Sequence, residues 1–228
     1  MSALPQLRRF FRMGESAAGQ PSRGLSAAAR RALRITAAFI IALVILSQGI
    51  TAPFEKDQEP QSAQWVVDIV NHGHWLLPHD YYDFVERKPP LYYWCAALIS
   101  KAAGGVDETT ARAPSLIAGA GLAVVVLEWT ALEAGAVSGG LAFFFLLGIY
   151  GYASRATTAL TDMLMTFLLF GAWFTIYPLF DTNEDFQGPR SRAAAPAART
   201  RRLWRTLGAG AILGLAVLTK GPVAIVLL

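Results

Sequence analysis

Hydrophobic residues in this chain come in long blocks, set apart by polar stretches of uneven length. "ITAAFIIALVILSQGITA" (35–52) carries no charge and is about long enough to cross a bilayer core. Comparable runs lie at about 113–132, 134–152, 160–180 and 207–228. "LYYWCAALISKAAGG" after residue 90 is apolar but too short to span, the length expected of a re-entrant or interfacial helix. The tight link near Glu133 to Gly135 predicts a helical hairpin. The expected fold class is therefore all-α, a polytopic transmembrane helical bundle with amphipathic juxtamembrane helices in its first polar loop.

Three polar segments frame these blocks. Residues 1–34 hold seven arginines against Glu15 alone and form a basic tail. A signal peptide would place its apolar stretch much nearer Met1. Residues 53–90 form a long polar loop, and 181–205 a second, dominated at its end by Arg190, Arg192, Arg199, Arg201, Arg202 and Arg205. Positive residues favour the cytoplasmic side, so the tail and the 181–205 loop face inward and the 53–90 loop outward. Four crossings between the basic segments agree with that orientation.

Composition supports the same class. Hydrophobic residues make up 54% of the chain and charged residues 16%, with a positive mean hydropathy, as in membrane proteins. The net charge of +4 reflects arginines flanking apolar runs, not a basic face for nucleic acid. Cys95 is the single cysteine, which excludes an internal disulfide or thiolate cluster. "GPVAIVLL" ends in mid-run at Leu228, which suggests part of a longer polytopic protein.

The outer loop is rich in candidate chemistry. "EPQSAQWVVDIVNHGHW" predicts an amphipathic helix with Trp65, Ile69 and, less regularly, Val66 and Val70 on its apolar face. Pro60 suits its first turn. Asp57 or Glu59 then stands at the helix N-terminus, either as a capping anion or as a general base. In "ERKPPLYYW", Lys88 precedes two prolines that restrict its backbone, beside aromatic residues suited to a membrane interface. A snorkelling lysine is the ordinary explanation. A cation so restrained is better matched to an anionic lipid headgroup such as a phosphate.

Two further sites lie within apolar runs. Lys220 in "AVLTKGPVA" is an intramembrane cation followed by a helix-breaking Gly-Pro. Arg155 and Asp162 in "SRATTALTDML" stand seven residues apart, about two helical turns. They either pair with each other, or leave Arg155 for a phosphate and Asp162 to orient a sugar or a lysine. Glu128 is read as a pairing or packing residue. His72, His74 and His79 could form a metal site with Asp80, but the irregular spacing around Gly73 and Pro78 favours surface-loop histidines. No metal ligand set is assigned; a divalent metal is compatible with the pattern, and no cofactor is certain.

"GHWLLPHDYYDFVERKPPLYYW", followed by "TARAPS", "SRATTALTD" and "LTKGPVA", resembles the lipid-phosphate-dependent membrane glycosyltransferases, nearest to the lipid A aminoarabinose transferases and protein mannosyltransferases of the GT-C superfamily. The likeness runs from about Asp57 to Pro222. It implies a multi-helix fold with an outward cavity, a polyprenyl-phosphate sugar donor, and inverting transfer to a lipid or protein acceptor. It implies that residues 35–228 are the N-terminal part of such a domain in a bacterial-type inner membrane, with the tail cytoplasmic. The family's acidic base maps to Asp57 or Glu59, its phosphate-binding lysines to Lys88 and Lys220, and its Arg…Asp pair to Arg155 and Asp162.

Three departures stand out. The family's adjacent Asp-Glu is "DQE" here, which leaves the base open between two residues. A family arginine is Gln61 or Pro60, and the glutamate common before the lysine is Arg87, which removes a metal ligand at that point. The rival classes are a lipid-headgroup-binding protein or transporter without transferase chemistry, and an inactive truncated copy.

Overall fold

The computed structural model describes residues 26–54, 58–86, 88–177 and 196–222, with side chains in the last stretch from residue 200. Asp57 and Arg87 lie outside the described residues. Two units are distinguished, Met1–Arg34 and Ile35–Leu228; the described part of the first is the opening of a helix. Eight helices account for the regular structure among the described residues: α1 Ala27–Leu46, α2 Gln58–His72, α3 Leu91–Ala103, α4 Glu108–Ala134, α5 Ala136–Gly148, α6 Tyr150–Ala156, α7 Thr161–Ile176 and α8 Pro196–Lys220. The one β-type pairing described is an isolated antiparallel bridge between His79 and Val85.

Helix α1 starts earlier than the uncharged run at Ile35. Ser26 caps it, its Oγ accepting from Ala29 N at 3.2 Å, and the alanine-rich opening favours helix. It also ends earlier than expected, because Ser47–Ala52 forms turns around Gly49 at φ 81°. Since Arg30, Arg31 and Arg34 fall inside α1, its uncharged stretch is short.

Helices α2 and α3 pack face to face through apolar side chains. Trp65, Val66 and Ile69 of α2 meet Tyr92, Tyr93, Ala96 and Ala97 of α3, with the Trp65 and Tyr93 rings edge to face at 5.4 Å. This is the face that the sequence pattern marks.

Helix α4 is the long axis of the bundle. Asp107 and Thr110 form a reciprocal capping box at its start, and its 27 residues are long and apolar enough to cross a membrane. A single residue, Gly135 at φ 93°, turns the chain into α5. The pair then packs closely, since a Cβ on Gly139 would lie 2.7 Å from the Leu127 carbonyl oxygen.

The run at 134–152 is not one straight span. Ile149 adopts extended backbone (φ −75°, ψ 113°), and α5 and α6 meet at a 72° bend, a broken span or re-entrant loop. Helix α7 is shorter than the 160–180 run, at 16 residues. Helix α8 begins inside the segment read as a polar loop, so Arg201, Arg202 and Arg205 are helical.

The core joins Ala38, Ala42 and Leu46 of α1 to Ala118–Leu127 of α4, Phe143 and Leu147 of α5, and Met163 of α7. Outside, Val44, Val137, Leu141, Phe144 and Phe145 are exposed. Large apolar side chains on both faces of a helix bundle fit an apolar solvent better than water.

Candidate functional site

Two carboxylate–cation clusters lie at the ends of these helices, and they differ in accessibility. The first is buried. Glu59, in the first turn of α2, faces Arg112 in the first turns of α4, with side chains 2% and 4% exposed. Arg112 Nε and Nη2 donate to the two Glu59 oxygens at 3.1 and 3.2 Å. Ala159 N also donates to Glu59 Oε1 at 2.7 Å. Arg112 Nη1 donates to Ile50 O at 2.8 Å, and its guanidinium stacks 4.9 Å from the Phe54 ring.

This cluster is a clasp. The Glu59–Arg112 pair ties together the turn after α1, the start of α2 and the turn before α7. Both Glu59 oxygens are occupied by these bonds. The structure thus gives Glu59 a buried holding position. Sequence reading missed Arg112, whose only signal was an arginine in the apolar "TARAPS" run; a buried cation always needs a named partner. Asp57, the other acidic candidate, lies outside the described residues.

The second cluster is open. Arg155, Asp162 and Lys220 have side chains 55%, 34% and 35% exposed. Arg155 and Asp162 do not share a face of one helix, as their spacing suggested. They sit on α6 and α7, and the turn 157–160 between the helices folds them together. Arg155 Nη1 lies 3.5 Å from Asp162 Oδ2, and Lys220 Nζ donates to Asp162 Oδ1 in a short contact. Asp162 therefore stands between two cations, orienting the lysine as well as meeting the arginine.

Lys220 is the last residue of α8. Gly221 closes the helix in left-handed backbone (φ 77°), with Gly221 N donating to Val217 O at 2.7 Å. A cation at this C-terminal end also complements the helix dipole.

The Lys-Pro-Pro run meets this helix end. A Cβ added to Gly221 would lie 3.8 Å from Pro89 Cγ. Lys88 and Lys220 each directly precede one of these two neighbouring residues. Lys88 is half-buried, and its backbone is braced from behind: its N donates to Glu86 Oε1 at 2.6 Å. The other oxygen, Glu86 Oε2, accepts from Tyr93 OH at 2.9 Å. Glu86 is thus committed, whereas the Lys88 ammonium has no anionic partner among the described residues.

A third cluster gathers the histidines, around Asp68 and not Asp80. Asp80 instead organises its own turn, accepting from Tyr82 N and Phe84 N at 2.9 Å each and from Gln61 Nε2 at 2.9 Å. Burial raises the Asp68 carboxyl, but hydrogen bonds from His79 N, His72 and His74 outweigh it and hold the group below its ordinary range. Asp68 carries the α2 face one turn before His72, an i, i+4 signal that the loop histidines obscured.

A family model described as dolichyl-phosphate-mannose-protein mannosyltransferase matches residues 70–228, which include Lys88, Arg155, Asp162 and Lys220 but neither Asp57 nor Glu59. Among solved structures, the chain is similar to ArnT from Cupriavidus metallidurans in the apo state, with 19% identity and a TM-score of 0.66 over 88% of this chain and 34% of that chain. The chain thus spans about a third of that protein's length, and the likeness establishes a shared helical fold. No curated protein matches.

Proposed function

Because the chain belongs to the dolichyl-phosphate-mannose-protein mannosyltransferase family, we propose that it is part of an integral membrane glycosyltransferase. In this reading it moves a sugar from a polyprenyl-phosphate donor to a lipid or protein acceptor. The reaction takes place on the non-cytoplasmic side of a bacterial-type inner membrane, crossed several times, with the basic N-terminal tail inside.

The observation that carries the reading is the meeting of the Lys-Pro-Pro and Lys-Gly-Pro runs at Pro89 and Gly221. A backbone-restrained lysine with no anionic partner among the described residues, beside a second lysine held by a carboxylate, suits a ligand with concentrated negative charge. A phosphate on a lipid has that charge at that depth.

The chemistry follows from the leaving group. The acceptor oxygen attacks the anomeric carbon from the face opposite the phosphate. The bond between that carbon and the phosphate oxygen breaks, and the phosphate keeps the electron pair. Lys88, Lys220 and Arg155 stabilise the charge that develops there. Asp162 positions Lys220 and releases Arg155 toward the ligand. The acceptor's proton passes to Asp57, the acidic candidate left once Glu59 is assigned to the clasp. No nucleotide enters the step.

The test uses the full-length chain in membranes with radiolabelled polyprenyl-phosphate sugars, following label into lipid and protein fractions. Transfer to one fraction is expected, lowered in K220M together with weaker donor binding and lost in D57N with donor binding retained. If the wild-type chain binds the lipid phosphate through Lys88 yet never moves label from any donor, it is a headgroup-binding protein and the transferase reading fails.

A further inference from the structure

Outside the lysine site, the outer loop folds three histidines onto one carboxylate. His72 faces Asp68 one helical turn along α2, and Gly73, at φ 76° at the end of that helix, turns the chain back so that His74 faces Asp68 as well. His74 Nδ1 lies 3.0 Å from Asp68 Oδ2, and His79 Nδ1 lies 3.8 Å from the same oxygen. One ligand atom each from Asp68, His74 and His79 fits within a span of 4.8 Å.

We propose that Asp68, His74 and His79 form a binding site for a divalent transition metal of the zinc class, which fastens the hairpin carrying His79 to the end of α2.

Spacing and donor type both favour an ion over a purely hydrogen-bonded cluster. Ligands about 2.0–2.2 Å from a tetrahedral zinc stand roughly 3.3–3.5 Å from one another, between the two separations seen here. Two imidazoles and one carboxylate are a set that zinc accepts with one position left open. His79 Nδ1 is sheltered from solvent and makes no hydrogen bond, which is costly for a neutral ring nitrogen and is resolved by coordination.

The surroundings resemble a supporting shell. His72 Nδ1 contacts the other carboxylate oxygen, Asp68 Oδ1, at 2.8 Å, so Oδ2 is presented to the ion. His79 Nε2 lies 3.9 Å from Asp83 Oδ1, a carboxylate behind the imidazole that favours Nδ1 as the ligating atom. Asp83 itself adopts φ 64°, backbone that a non-glycine residue rarely takes. The fourth position would be left open to solvent, because His74 is half exposed.

The hairpin also supports the lysine run that comes after it in the chain. His79 bridges to Val85, and Glu86 N donates to Pro78 O at 3.0 Å. Glu86 in turn braces Lys88. A metal at His79 would therefore order the strand of chain that leads to the Lys-Pro-Pro run.

The test titrates the chelator-washed full-length chain in detergent with zinc, in competition with a chromophoric chelator, and with cobalt, read by its visible absorption. One equivalent of zinc is expected, with the intense bands of four-coordinate cobalt. H74A and H79A should each weaken zinc binding by about 100-fold or more, and H72A by about 10-fold. Zinc should slow proteolysis between residues 73 and 86 in the wild type and not in H79A. D68N also removes the hydrogen bond to His79 N and so mixes lost ligation with lost folding. The histidine variants, checked for helicity by circular dichroism, therefore decide the matter. Zinc binding that is absent in the wild type, or unchanged in the H74A/H79A double variant, overturns the site.

Discussion

Glu59–Arg112 and Arg155–Asp162–Lys220 are built from the same chemical parts and do opposite things. In the first, both partners are almost wholly removed from solvent and every oxygen of the carboxylate is taken. In the second, all three side chains remain between one third and about half exposed. Burial decides the difference. A buried ion pair is a fixed structural joint whose loss leaves a charge uncompensated. An open one contributes little to stability, which leaves its cations free to exchange the carboxylate for another anion. One region holds turns together; the other can change partners.

The comparison can be broken most forcefully at the buried end. R112M strands the Glu59 carboxylate and several backbone carbonyls, so a loss of about 3–5 kcal/mol of stability is expected, seen as a lower melting temperature and a lower yield of folded protein. E59L/R112M, which removes both charges, should recover much of that loss. An E59Q variant that folds normally but abolishes transfer would return Glu59 to the role of base and end the contrast.

At the open end the pattern reverses. K220M and K88M should each lower sugar transfer by about 10²–10³-fold while changing stability by less than about 1 kcal/mol. D162N sharpens the point, because it touches no reacting group. A smaller drop, on the order of 10-fold, is expected from its positioning of Lys220. A double-mutant cycle between Arg155 and Asp162 should give a coupling below about 1 kcal/mol in the ligand-free protein.

Much of this arrangement was legible in the residue pattern. The apolar blocks announced a helical bundle, the spacing of Trp65 and Ile69 marked the buried face of α2, and Gly135 marked the hairpin between α4 and α5. The Gly-Pro after Lys220 correctly ended its helix. What escaped depended on tertiary placement. A bend at Ile149 leaves no signature beyond one weak glycine before it, so a hydropathy block looked like one span. The seven-residue spacing of Arg155 and Asp162 suggested a shared helical face, but a turn brings them together instead. Arg112 and Glu59 are 53 positions apart, and only the packed turns around them show that they are partners. Asp68 was hidden because His74 and His79 reach it only by way of a left-handed glycine.

The smallest expected effect concerns pH. Asp68 has its carboxyl held below the ordinary range in the folded chain, so the stability it supplies is present above the unfolded carboxylate value, near pH 4. It disappears as pH falls through the lower folded value. Acid denaturation of the wild type should therefore show a component below about pH 4 that D68N lacks, measured by circular dichroism in detergent.

Binding of a polyprenyl phosphate, without any sugar, to the full-length chain in nanodiscs tests the central claim most directly. If Lys88 and Lys220 grip one phosphate, K88M and K220M should each weaken binding by about 10-fold or more. The loss in the double variant should differ from the product of the two, since both cations face one charge. Folded K88M or K220M protein that binds the lipid phosphate as tightly as the wild type would contradict the account.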